Sequence, residues 1–297
     1  MKYTIISFIA IVISLIGYTQ EIQIKTKDNN SNTPISFVKV SSGGACIGFT
    51  DENGILTIDN SNIINDKILL DKSVYKSKEV NIEKSKDIFS IELEKLDVSA
   101  SLNYSTEETY TLIKQILDNS QKNSPKKTFT GIINYSFTSS LSSNPVTKND
   151  IKMSFFVTST KIKALEKFDN TIKVWLKSTI KSEPIRYRTY KSLYLKSAYN
   201  YSVESSYLNE LDETILIINI NDNKFHHSQL IINDSKKIIL EFHNYWNADN
   251  DNGISEPDYH AIYSLNNNLL RPEYLVAKYC YKKNNETDIR KIQILFK

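Results

Sequence analysis

With 297 residues the chain has length for about two domains, and its 40% hydrophobic content is enough to give each a core. The 37 Lys and Arg against 34 Asp and Glu leave +3, with both signs interleaved along the chain, which argues against a nucleic-acid partner or an anionic membrane surface. Cys46 and Cys280, far apart, do not build a disulfide framework and read as small buried hydrophobes, with a single interdomain disulfide as the alternative.

At the N-terminus, Lys2 precedes an apolar run from Ile5 to Ile16, and Gly17 and Thr19 put small residues at the third and first positions before a cut after Thr19. The run is shorter than the roughly 20 residues needed to cross a bilayer, so residues 1–19 read as a cleaved export signal rather than an anchor. No cysteine follows to take a lipid, and after residue 20 no segment is apolar enough to span a membrane. The expected location is the periplasm, the outer-membrane face or the exterior.

Residues 20–97 show short strand patterns between polar turns: Ile22 to Lys25, three strands within Pro34 to Ile58, then Ile68 to Leu70, Val80 to Ile82 and Phe89 to Leu93. The turns inside Pro34 to Ile58 are Gly43-Gly44 and Asp51-Glu52-Asn53-Gly54, where glycine supplies the positive φ a tight reversal needs. Seven strands in under eighty residues predict a small antiparallel sandwich of Greek-key type. Pro34-Ile35, Val38-Lys39-Val40, the run Thr50 to Ile58 and the closing alternation Ile88 to Leu93 resemble the carboxypeptidase-like regulatory domain. That family is a prealbumin-like β-sandwich found beside zinc carboxypeptidases and at the N-termini of many Gram-negative envelope proteins. The resemblance covers residues 20–96 and implies an accessory module of the envelope.

Residues 98–297 open with a capping box, Ser105 with Glu108, ahead of an apolar face of Tyr110, Leu112, Ile113, Ile116 and Leu117, which predicts a helix ending before Pro125. Strand patterns follow over Thr128 to Phe137, Ile151 to Thr158, Thr171 to Ile180, Thr214 to Asn221, Gln229 to Ile232, Lys237 to Phe242, Tyr259 to Leu265, Tyr274 to Tyr281 and Ile289 to Phe296. One helix and a long meander predict an α+β domain in which a large curved antiparallel sheet wraps the helix. The chain is thus expected to be mainly β. This second part is similar to the open half-barrel of outer-membrane lipoprotein carriers, which implies an apolar ligand on the concave side.

No His-Glu-x-x-His, Gly-x-Ser-x-Gly, phosphate-binding loop or His-x-x-Glu pair is present, so the expectation is a non-catalytic protein. Two constellations could bind metal. In Asn247 to Asp258, the oxygen-bearing residues Asn247, Asp249, Asp251, Ser255 and Asp258 fall at the spacing of a calcium loop, although Asn252 stands where glycine is usual. All four histidines, His226, His227, His243 and His260, lie within a single stretch of three predicted strands. A two-residue turn at Asp234-Ser235 would pair position 226 with 243, and closing the acidic loop would bring 260 near 243 or 245, a row able to hold zinc. The tyrosine-rich stretch Arg186 to Tyr207 reads as a connection folded over the sheet edge, with a glycan- or peptide-contacting surface as the alternative. The preferred reading is a binding protein with a protein or glycan partner in the envelope. The alternatives are a carrier of an acyl or other apolar ligand and a metal-dependent enzyme of unrecognised type.

Overall fold

The computed structural model describes residues 21–83, 85–98, 104–122, 128–139, 143–155, 160–163, 174, 179, 199–222, 226–246, 253–254, 258–266, 269–283 and 286–296. The chain divides into two compact units, Met1–Lys95 and Leu96–Lys297.

The first unit has seven strands: β1 (Glu21–Asp28), β2 (Lys39–Ser42), β3 (Ala45–Phe49), β4 (Ile55–Asp59), β5 (Lys67–Asp71), β6 (Lys78–Asn81) and β7 (Ile88–Leu93), with one 3-10 turn at Asn60–Asn62. They form two sheets, ordered β4-β1-β7 and β3-β2-β5-β6. Alternation in β1 sends Ile22 and Ile24 inward, and β7 does the same with Phe89, Ile91 and Leu93. Val40, Ile68 and Leu70 of the second sheet meet them in one core, which makes the unit a β-sandwich. The wholly antiparallel expectation fails at one seam, because β1 and β7 pair in parallel, Gln23 opposite Ile88 through Asp28 opposite Leu93. Phe37, read as a strand residue, instead takes φ +56° and turns the chain just before β2.

Both expected turns form. Gly43 and Gly44 have φ of +56° and +80° and close the β2–β3 hairpin. At the second, Asp51 Oδ1 accepts from the N–H groups of Asn53 and Ile55 at 2.9 and 2.8 Å, and Gly54 takes φ +71°. Thr26 N–H donates to the Gly54 carbonyl at 2.8 Å, so β1 lies directly against this turn.

In the second unit, α1 (Thr106–Lys122) begins at the expected capping box. Ser105 N–H donates to Glu108 Oε2 at 2.8 Å and Glu108 N–H to Ser105 Oγ at 3.2 Å. Eleven strands follow: β8 (Thr128–Ser139), β9 (Ser143–Phe155), β10 (Thr160–Lys163), β11 (Tyr199–Leu208), β12 (Thr214–Asp222), β13 (His226–Asn233), β14 (Ile238–Trp246), β15 (Gly253–Ile254), β16 (Asp258–Asn266), β17 (Leu269–Lys283) and β18 (Glu286–Phe296). They form one large antiparallel sheet in the order β10-β9-β8-β18-β17-β16-β14-β13-β12-β11, with β15 paired to β17. Among the described residues, a mainly β chain with one long helix and a large antiparallel sheet matches the expected fold class.

Two sequence expectations differ from the structure here. The alternation from Thr171 to Ile180 suggested a strand, yet the two described residues in it, Val174 and Thr179, are helical. Ile172, Leu176 and Ile180 also repeat at the four-residue interval of a helix face, and a short run that satisfies both periods does not decide between them. Strand β11 lies within the stretch read as a connection.

Candidate functional site

Alternation along the central strands divides the second unit's sheet into two faces of different chemistry. The helix-side face is apolar. Leu216, Ile218 and Ile220 of β12, Leu230 and Ile232 of β13, Tyr259 and Ala261 of β16, Leu275 and Ala277 of β17, and Ile292 and Ile294 of β18 are all buried in one core with Leu112, Ile113 and Ile116 of α1. The helix packs chiefly on β11 and β14. Its C-terminal turn is pinned there by Asn119, whose side-chain amide donates to the Lys237 carbonyl at 3.0 Å. Farther along the face, Thr179 Oγ1 and Tyr279 Oη lie 2.9 Å apart.

Tyr201 of β11 stands in this core opposite Ile220, 2% exposed. Its ring is 5.5 Å from that of Tyr110 on α1 and 6.5 Å from that of Tyr199. Burial, with the two neighbouring phenols adding to it, pushes the Tyr201 hydroxyl up to about 12. Among the described residues that hydroxyl has no hydrogen-bond partner.

The opposite face carries a row of polar side chains. Register places Asn219 against Gln229, Gln229 against His243, His243 against His260, His260 against Val276, Val276 against Gln293, and Gln293 against Asn134. Glu204 Oε2 accepts from Asn219 at 2.9 Å and from Gln229 at 3.2 Å at one end, and Gln293 donates to Tyr274 Oη at 2.8 Å near the other. At the centre, His260 Nε2 is 3.0 Å from Glu241 Oε2, both side chains buried, while His243 Nε2 is 2.8 Å from Asp258 Oδ1 at a more open position.

The expected histidine row forms in part. His260 does face His243, but His226 pairs with Trp246, and His243 stands opposite Gln229 instead. The turn explains the shift. It takes four residues, Asp234 to Lys237, with Asn233 Oδ1 accepting from Lys236 N–H at 2.9 Å and Lys237 at φ +53°. A bulge between Ile231 and Ile232 then moves the register one residue further. The side chain of His226 lies outside the described residues. Among those described, no three His, Cys, Asp or Glu side chains come close enough to share a metal ion. Of the calcium-loop residues, Asn247, Asp249, Asp251 and Ser255 also lie outside the described residues, and Asp258 is engaged with His243.

Of the tyrosine-rich stretch, residues 199 to 207 belong to β11, and Tyr201 and Tyr207 point inward rather than forming an exposed surface. Residues 186 to 198 lie outside the described residues. Tyr201, part of the tyrosine-rich stretch, is buried instead of exposed, and Glu241 is a residue that sequence reasoning passed over. For Glu241 a signal existed: a carboxylate between Leu240 and Phe242 in an otherwise apolar strand demands a buried partner.

No family model matches the chain, and no curated protein matches it. Solved structures do, at a distance. A DUF1329 family protein from Desulfovibrio piger aligns with a TM-score of 0.32 and 7% identity over 64% of this chain and 92% of its own. A putative outer membrane lipoprotein-sorting protein domain from Vibrio parahaemolyticus aligns with a TM-score of 0.32 and 8% identity over 65% and 94%. A LolA superfamily protein from Nitrosomonas europaea gives 0.28 and 10% over 61% and 90%. Likeness at this distance assigns neither function nor ligand to the chain.

Proposed function

We propose that the chain is an exported, non-catalytic binding protein of the cell envelope whose second unit holds a ligand with an apolar body between α1 and the apolar face of its sheet. The N-terminal sandwich, as an accessory module, would dock a protein or glycan partner. The observation that carries this reading is the width of the apolar face relative to its helix. Buried apolar residues run from Leu216 on β12 to Ile294 on β18, whereas α1 packs chiefly on β11 and β14. Beyond those strands the face carries the small side chains Ala261 and Ala277, and an aliphatic chain lying over them is the occupant this reading assigns. Export is supported by the N-terminal run from Ile5 to Ile16, and the absence of hydrolase and phosphate-binding signatures favours binding over catalysis.

The test is to purify the full chain from envelopes without detergent and to record native mass spectra before and after organic extraction. A bound lipid or other apolar molecule, released by extraction, is expected. Protein that carries no such molecule and takes up no hydrophobic dye would end the reading.

A further inference from the structure

We propose that the Tyr201 hydroxyl donates a hydrogen bond to an uncharged carbonyl of the bound ligand, so that the site selects acyl esters or amides over free acids. This rests on the ligand-holding reading above and adds the chemistry of the ligand's polar end.

A buried hydroxyl without a partner costs about 1–3 kcal/mol, and phenylalanine would fill the same space without that cost. Tyr201 is such a hydroxyl, 2% exposed and with no partner among the described residues. The contrast lies in the same core, where Tyr279 has Thr179 as its partner at 2.9 Å. The Tyr201 ring is held by Tyr110 of α1 on one side and Tyr199 of its own strand on another, so the hydroxyl occupies a set position at the helix–sheet junction. An acceptor delivered there by a ligand would complete it.

The surroundings also choose the kind of acceptor. The groups that act on the Tyr201 hydroxyl are two other phenols, Tyr110 and Tyr199, set among aliphatic side chains, and its own proton stays in place across the physiological range. Among the described residues no cation acts on this hydroxyl, so a carboxylate brought to this position would be buried without a countercharge, at high cost. An ester or amide carbonyl accepts the same hydrogen bond while carrying no charge.

The experiment compares the full chain with its Tyr201→Phe variant, using displacement of a hydrophobic naphthylamine dye by methyl oleate, oleate and hexadecane, and the thermal midpoint of each unliganded protein. The wild-type chain is expected to bind methyl oleate more tightly than oleate. Tyr201→Phe should weaken methyl oleate about fivefold, the equivalent of one neutral hydrogen bond of about 1 kcal/mol, and leave hexadecane unchanged. The variant should unfold no earlier than wild type. Equal displacement by methyl oleate from both proteins removes Tyr201 from the site while leaving the ligand-holding reading standing. A lowered midpoint overturns the inference as well, since the hydroxyl would then have a partner within the protein. Failure of the dye to bind, or of all three probes to displace it, ends the ligand-holding reading and this inference with it.

Discussion

His243 and His260 face each other directly across β14 and β16, with ring centroids 4.7 Å apart, and each offers Nε2 to a different carboxylate. The two pairs differ in burial. The His260 and Glu241 side chains are 8% and 3% exposed, whereas Asp258 is half exposed. Removing the buried carboxylate leaves a desolvated imidazole without its acceptor, so Glu241→Ala is expected to destabilise the second unit by about 2–3 kcal/mol. Asp258→Ala should cost less than about 1 kcal/mol, as exposed pairs do. Chemical denaturation of both variants, followed through the second unit's transition, gives the comparison. Equal losses would show that burial does not separate the two pairs.

The Asp51–Gly54 turn gives a sharper expectation for the sandwich. A Cβ on Gly54 would lie 2.7 Å from the Thr26 carbonyl oxygen and 3.0 Å from that of Ile35, both backbone atoms, at a φ of +71°. Gly54→Ala therefore combines a strained conformation with a collision that no side-chain movement relieves, and a loss of about 2–4 kcal/mol is expected. A thermal scan should show the first unit's transition lowered and the second unit's unchanged.

The capping box of α1 is exposed and reciprocal, so its contribution should be ordinary. Ser105→Ala removes the hydroxyl that accepts from Glu108 N–H and donates to Glu108 Oε2. The expected cost is about 1 kcal/mol. Ser105→Asp, which keeps an acceptor at the cap, should recover most of it; denaturant midpoints of the three proteins decide.

Asp28 and Glu213, both held below the ordinary carboxylate range, contribute to the fold's sensitivity to acid. The backbone N–H of Ser31 is the main influence holding the Asp28 carboxyl below its usual value, with Asn30 and Tyr75 adding to it. For Glu213, burial acts to raise the value, but hydrogen bonds from Lys236, Asn209 and Asn233 together outweigh it and the net shift is downward. In both cases the folded value lies below the unfolded one. The stability they contribute is therefore fully present above the ordinary carboxylate range and is lost as pH falls through the depressed folded values. Thermal midpoints should hold steady at neutral pH and fall below about pH 4. Asp28→Asn should flatten that fall for the first unit, and Glu213→Gln for the second.

What could be read from the sequence followed local chemistry. Gly43, Gly44 and the Asp51 turn announced their hairpins because the required φ and the side-chain cap are written in adjacent residues. The Ser105 box and the spacing of Leu112, Ile113 and Ile116 located α1 for the same reason. Register was less accessible. The four-residue turn at Asp234 to Lys237 and the bulge at Ile231 each add positions that no two-residue signal reveals, and together they moved His226 away from His243. The parallel seam between β1 and β7 joins the two ends of the first unit, and nothing local to either strand specifies its neighbour's direction. Tyr201 sits among tyrosines and basic residues in the sequence, which reads as surface; its burial comes from β12, the next strand, together with α1, which lies far earlier in the chain.

The pairing of β8 with β18, Gly131 opposite Phe296 through Ser139 opposite Asp288, makes the first strand of the second unit wait for the last. Until Phe296 has left the ribosome, β8, β9 and β10 have a hairpin ladder between them but no sheet to join. Contacts this far apart along the chain make assembly slow, because loop closure must precede any reward. The sheet is thus completed only when β18 is in place, whereas β11 to β17 can pair as chain neighbours before then.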